Sequence, residues 1–481
     1  MTVVNGKANI TIPKNVFLVG DNILSINYNG TDYYNSSRTT YYTNGTLYGL
    51  VYYVATNGLS SNDGRTQDTP WNYIHAFNMI TNSEYNNSLI CLLNGVYNIN
   101  DTVVLNNSLT LKIIGYGNVV FDGNNKILNC YNIHNGRVSI ENLTFINFSN
   151  TTIINTASNT VINGNTFINN KGSNGGAVSN WNTVNTTITN NTFTNNMAKY
   201  GGAIYKRGNN TNITNNKFTN NIVTTSAGAI YNIGTNSLII DNKFTKNNAQ
   251  NYGGAVSNWN TMNTTITNNT FRNNSANYGG AVYYRGFSLN FNNNNLTGST
   301  ALVSGGALFV IGQNNNITCN NFTTSKARNG AAITNSGTKT SIIENIIKYG
   351  NATSVGGAIS NWNARDTIIT NNIIHHNQAQ HATVYIRGTN ITVQSNNIYS
   401  NKVNGSGGAI FNIGINNIIN RNTLRSNNAG NFGGAIYTCA TNTIITGNTI
   451  TRNSAGHGGA IIDTRHNTTT MNNNNITNNS T

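Results

Sequence analysis

The sequence repeats itself. Residues 175–196 read GGAVSNWNTVNTTITNNTFTNN and residues 253–274 read GGAVSNWNTMNTTITNNTFRNN, differing only at Val184/Met262 and Thr194/Arg272. The near-copy, offset by 78 residues, lies inside a finer period. Gly-Gly-Ala or a close variant recurs with its second position at Gly176, Gly202, Gly228, Gly254, Gly280, Gly306, Ala331, Gly357, His381, Gly408, Gly434 and Gly459, in steps of 24–27 residues. In phase with it runs a second marker: an apolar residue, four residues that are mostly Asn or Thr, then another apolar residue. Twelve units carry it, closing on Phe193, Phe218, Phe244 and Phe271 early and on Leu424, Ile450 and Ile476 late. Self-similarity this regular marks a solenoid of stacked units.

The interior of the unit decides which solenoid. Apolar residues come in ones and twos at alternating places, a strand period, and no stretch offers the 3.6-residue period of a helical repeat. Three short strands with Asn- and Gly-rich turns make one coil of this length. Asn tolerates the left-handed backbone of such turns and can bond along a stack, and Gly-Gly-Ala marks a bend where a Cβ is unwelcome. The expected fold is all-β, a right-handed parallel β-helix, since right-handed crossovers are the default. Twelve coils at ~4.8 Å span roughly 58 Å.

Upstream the same column recurs at 138–145 (VSIENLTF) and 161–167 (VINGNTF). Residues 51–80 read as strand, loop and short helix, with Thr69 as cap, Pro70 in the first position and Trp71, Ile74 and Phe77 on one face. Such a helix would close the bare apolar end of the stack. Together with LICLLNGVYNINDTVVLNNSLTLKIIGYGNVVFDG (89–123), this stretch resembles the opening of a pectin-lyase-like β-helix. The GGA(I/V)…NN.F..N units resemble the repeats of polymorphic outer-membrane proteins, and still more the Asn/Thr-rich adhesin-like proteins of methanogenic archaea. The resemblance covers about residues 50–481. Residues 1–42 are similar to the last strands of an Ig-like surface domain, which is half of the seven strands a sandwich needs. The organisation expected is thus a partial Ig-like segment (1–42), a linker (43–50), a cap helix and first coils (51–165), and twelve coils of about 26 residues (166–481) with no evident C-terminal cap. The chain reads as a piece of a longer surface protein; the alternative is a complete product.

The offset of 78 is three coils. After the Gly-Gly-Ala strand the sequence cycles Trp181, Arg207, Ile233, then Trp259, Arg285, Ile311, and after one intervening unit (GAAITNSG) Trp362, Arg387, Ile413. Duplication of a three-coil block with one extra coil accounts for this without any function. Strand alternation adds a functional reading: with Val178 and Asn180 inward, Ser179 and Trp181 face out. Trp181 and Trp259 then lie ~14 Å apart on one face. Trp offers a flat amphipathic ring to a sugar and Arg pairs with carboxylate or phosphate. The candidate ligand-binding strip is therefore Trp181, Trp259, Trp362, Arg207, Arg285 and Arg387.

Charge points the same way. Residues 151–481 hold 20 Lys/Arg and four acids (Asp241, Glu344, Asp366, Asp463), a net of +16, while residues 1–150 net −1. The expected partners are acidic glycans or wall polymers; nucleic acid is not expected, because no basic cluster occurs. Glycoside hydrolysis usually needs paired carboxylates, and the resemblance to pectin lyases implies calcium held on acids beside a base. Four scattered acids supply neither, so a non-enzymatic adhesin-like role is expected over a polysaccharide lyase or hydrolase, or a plain spacer. His375, His376 and His381 read as a polar turn and no cofactor is expected. The four cysteines (Cys91, Cys130, Cys319, Cys439) are expected as buried free thiols. No apolar run approaches a membrane span. The expected location is extracellular or the cell surface, with any export signal outside this chain.

Overall fold

The computed structural model describes residues 50–80, 87–106, 110–465 and 469–481, and the backbone of four short strands before residue 44. The Ig-like reading of 1–42 falls outside these residues, apart from two antiparallel pairings, Val3–Val4 with Lys7–Ala8 and Asn22–Tyr28 with Ser37–Thr43. The rest is all-β, with about 2% helix and about 15 turns of a right-handed parallel β-solenoid. Among the described residues no helix is long and apolar enough to cross a membrane.

Each strand pairs in parallel with its equivalents one coil away, so like sits on like. Ile188, Ile213, Ile239 and Ile266 form one column and Phe193, Phe218, Phe244 and Phe271 another. From Phe145 to Phe271 six rings stack at 4.7–5.0 Å with planes within 10° of parallel. Each is fully buried and contributes about 1.5–3 kcal/mol relative to exposure.

The Asn-Asn pairs solve the polar problem of the corners. The first Asn takes the left-handed conformation, as at Asn190 (φ 56°) and Asn195 (φ 55°). The second turns inward, where an unpartnered amide would be costly. Asn191 donates from Nδ2 to the Ile162 and Thr189 carbonyls (2.8 Å each) and to Asn216 Oδ1 (3.0 Å), while its backbone N–H donates to the same Oδ1 (2.9 Å). This ladder runs unbroken from Asn165 to Asn474. A second ladder runs from Asn170 to Asn274 and again from Asn377 to Asn479. Between them Ser299, Ser325 and Gly350 occupy its place.

The bend needs its glycines. Gly201 sits at φ 61°, and a Cβ on Gly202 would lie 2.2 Å from the Gly228 carbonyl oxygen of the next coil. The ninth unit departs from the expected phase. There Ala382 takes the left-handed position (φ 57°) and Thr383 accepts from Ala358 N, so the bend is one residue short and His381 pairs with Val355 in the column before it.

The helix spans Tyr73–Ile80 and buries Ala76, Phe77 and Ile80. Its cap is Asn72, whose Oδ1 accepts from His75 N at 2.8 Å, not Thr69, whose hydroxyl donates to Asp63 instead. Trp71 therefore precedes the helix, bridging Val54, and Ile74 turns to solvent, 61% exposed. With the cap three residues later than expected, the core-facing side falls on 73, 76, 77 and 80. Cys91 and Cys130 are buried free thiols as expected, but Cys319 is exposed in a corner position (φ 55°) and Cys439 half-buried.

Candidate functional site

The strand after each bend presents alternate residues outward, as parity requires. Trp181, Trp259 and Trp362 emerge here, each in register with the arginine one coil on: Arg207, Arg285 and Arg387. The guanidinium carbons lie 5.7, 5.0 and 4.8 Å from the indole centroids. Each such contact is worth about 0.5–1 kcal/mol where exposed. The six residues form three pairs, the second three coils from the first and the third four coils beyond it.

Sequence reasoning missed the third member of each group. Two residues before each Trp stands a serine (Ser179, Ser257, Ser360), and beside it in the next coil stands a tyrosine (Tyr205, Tyr283, Tyr385). The small serine leaves room for the indole to reach the tyrosine, at centroid distances of 5.0, 5.5 and 5.8 Å. The signal was present: Tyr-x-Arg recurs in IYKR, VYYR and VYIR, and residues two apart share a face. Burial pushes the tyrosine hydroxyls up, Tyr283 to about 12, while the adjacent arginines pull the other way. The indoles are half-buried and the guanidinium groups exposed. Among the described residues the ion pair found is Lys112–Glu141 at 2.9 Å, and it involves none of these arginines. Their charge is thus available to an anionic ligand.

A separate aromatic and basic group lies at a corner of the later coils. His375 stacks on Tyr399 (4.9 Å, 11°), Arg425 lies 4.2 Å over the same ring, and His375 Nδ1 stands 2.8 Å from His376 Nδ1. Burial first, then His376 and Lys348, hold the His375 imidazole below its usual range. His381, on a different column, does not join it. Among the described residues no three His, Cys, Asp or Glu side chains converge as a metal site would need. A depression of about 550 Å³ flanks the cap helix beside Asn72, Ile74, Val96 and Asn98 and holds none of the strip residues.

No family model and no curated protein matches the chain. Solved structures do match in fold. The GH136 lacto-N-biosidase from Eubacterium ramulus aligns at 12% identity over 70% of this chain and 64% of its own (TM-score 0.38). Tailspike protein 3 of bacteriophage CBA120 aligns at 12% over 94% and 65% (TM-score 0.37). A mannuronic acid specific polysaccharide family 6 lyase from human gut microbiota aligns at 12% over 86% and 83% (TM-score 0.32). This chain thus spans under two thirds of the length of the first two.

These neighbours correct one expectation. The fold is shared mostly with polysaccharide-active enzymes, pectate lyase Pel9A and a GH87 α-1,3-glucanase among them, so the chain is not set apart as a non-enzyme. The physical reason lies in the coil: parallel register brings together side chains about 26 residues apart, so scattered acids in the sequence do not measure what one surface can assemble. By fold the chain is an all-β, right-handed parallel β-helix.

Proposed function

We propose that this chain is a polysaccharide-engaging, adhesin-like β-helix of the cell surface or extracellular space, holding an acidic glycan or wall polymer along its outer strip. The observation that carries the reading is the thrice-repeated Trp–Tyr–Arg group, with phenol and guanidinium each 4.8–5.8 Å from the indole. The rings supply flat amphipathic faces, the arginines supply charge for uronate or sulfate, and the coil spacing lays the groups along one line. Each contact is weak; affinity comes from several engaged at once on a linear polymer.

The test is binding of the full chain to an array of acidic and neutral glycans, beside a Trp181→Ala/Trp259→Ala/Trp362→Ala variant. Acidic glycans should bind the natural chain and lose about a hundredfold in the variant. Equal binding by a variant with unchanged β-sheet circular dichroism would sink the strip. The bound polymer should also be analysed for shortened products. Their release would identify a polysaccharide lyase or hydrolase acting on that polymer.

A further inference from the structure

The outer face is not uniform, and its widest break is shaped like a site. In the outward column the large rings run Tyr283 then Phe309, stop at Thr334 and Ser360, and resume at Tyr385. The neighbouring column stops at the same level. Tyr252 and Tyr278 are followed by Ser304, Asn329 and Val355. At the second Trp group Tyr252 packs on both Trp259 and Tyr283, at 5.4 and 4.7 Å, and closes the surface. At the third group nothing of that size stands in its place. The cause is the extra coil GAAITNSG, which puts small residues into both columns at once.

What remains is a notch of about 200 Å³. Phe309 and Tyr278 wall one end and Trp362 the other, while Asn329, Thr334, Ser336 and Ser360 line the space between. Thr334 donates to the Asn329 carbonyl at 3.0 Å. Like those of Ser179 and Ser257, the Ser360 hydroxyl is buried with no hydrogen-bond partner among the described residues, but Ser360 alone of the three lines this cavity. An unsatisfied buried hydroxyl is destabilising, and a ligand hydroxyl would satisfy it. None of the lining side chains is charged. Aromatic end walls, a hydroxyl- and amide-bearing floor and neutrality fit a ring with apolar faces and hydroxyl edges.

We infer that this notch is a subsite for one uncharged pyranose unit of a polysaccharide, gripped between Phe309 and Trp362 with its hydroxyls toward Thr334 and Ser360. The inference rests on the polysaccharide reading but assigns a different ligand chemistry to a place that shares only Trp362 with the strip. The arginine groups would take acidic units on either side, and the notch a neutral one between them.

The experiment is saturation-transfer NMR of the full chain with maltotetraose, cellotetraose and mannotetraose. Two variants refill the columns: Thr334→Tyr, which places in the gap the residue found at Tyr283 and Tyr385, and Asn329→Tyr, which restores the residue found at Tyr252 and Tyr278. At least one tetrasaccharide should receive transfer from the natural chain. Both variants should weaken it about tenfold while keeping the melting temperature, and Cys319→Ser, at an exposed corner away from strip and notch, should leave it unchanged. Transfer from none of the three sugars, or undiminished transfer in a folded filled variant, overturns the notch. Acidic binding lost only in the Trp variant would leave the strip standing without it. Loss of both kinds of binding in the natural chain would remove the strip as well.

Discussion

Coils 166–271 and coils 295–355 are built from one unit, yet they differ inside and out. In the first, phenylalanines stack ring on ring and both Asn ladders are continuous. In the second, the stack gives way to Leu296, Phe322 and Ile347, and Ser299, Ser325 and Gly350 replace one ladder. The first ladder passes through both regions unbroken. A solenoid therefore tolerates the loss of one polar spine while the other, with the main-chain pairing, holds the register. The freed sequence space is where the surface changes most, because the notch opens at the coil that interrupts the cycle.

That contrast can be broken by mutation. Phe218→Ala removes the middle of a close-packed stack and should cost about 3–5 kcal/mol by urea unfolding. Ile347→Val, in the same column of the later region, should cost about 0.5–1.5 kcal/mol. Asn216→Ala should be nearly as severe as the first, about 3 kcal/mol, because it strands the Asn191 donors and frees the Ile188 and Thr214 carbonyls. Ser325→Ala, at a buried hydroxyl with no partner, should be neutral or slightly stabilising. If Ser325→Ala destabilised as much as Asn216→Ala, the two regions would not differ in the way their hydrogen bonds state.

Lys206 is the irregularity of the regular region. It occupies the inward column between Asn180 and Asn232, is fully buried and donates to the Ser237 hydroxyl. Burial lowers its amine to about 7, while the unfolded lysine titrates near its ordinary value of about 10.4. Between those values the unfolded state binds the extra proton, so stability rises with pH and levels off below pH 7. From pH 7 to pH 9 the gain should be about 2 kcal/mol. Lys206→Met should flatten the curve and be the more stable protein at neutral pH. Denaturation midpoints at the two values check this. A parallel rise in the variant would show that another group carries it. The smallest effect concerns Cys319, whose exposed thiol should react with a maleimide in the folded chain while Cys91 and Cys130 wait for unfolding.

Much of this was legible beforehand because a stacked coil converts sequence period directly into spatial column. The second Asn of each pair, the Phe column and the Gly-Gly bend are each a local requirement repeated at fixed spacing, and each was found where the period put it, except for the bend of the ninth unit. The pairing of Trp181 with Arg207 followed from the same arithmetic. The tyrosines between them did not, since Tyr205 and Tyr283 matter only through what the smaller Ser179 and Ser257 leave open one coil away. The helix cap failed for a related reason: Asp63, six residues upstream, captured the Thr69 hydroxyl and left Asn72 to cap.

By itself the sequence determined the coil, its parallel stacking, its inward and outward faces and its basic surface. These follow from periodicity, parity and charge, which are properties of a chain read in order. Only the tertiary structure decided what the faces do. Whether an indole is free or leans on a phenol, whether two small residues open a cavity or are roofed by a ring, and whether an amine inside the coil keeps its proton all depend on neighbours some 26 residues away. Those are matters of volume and solvation across coils, and they exist only once the chain has been wound.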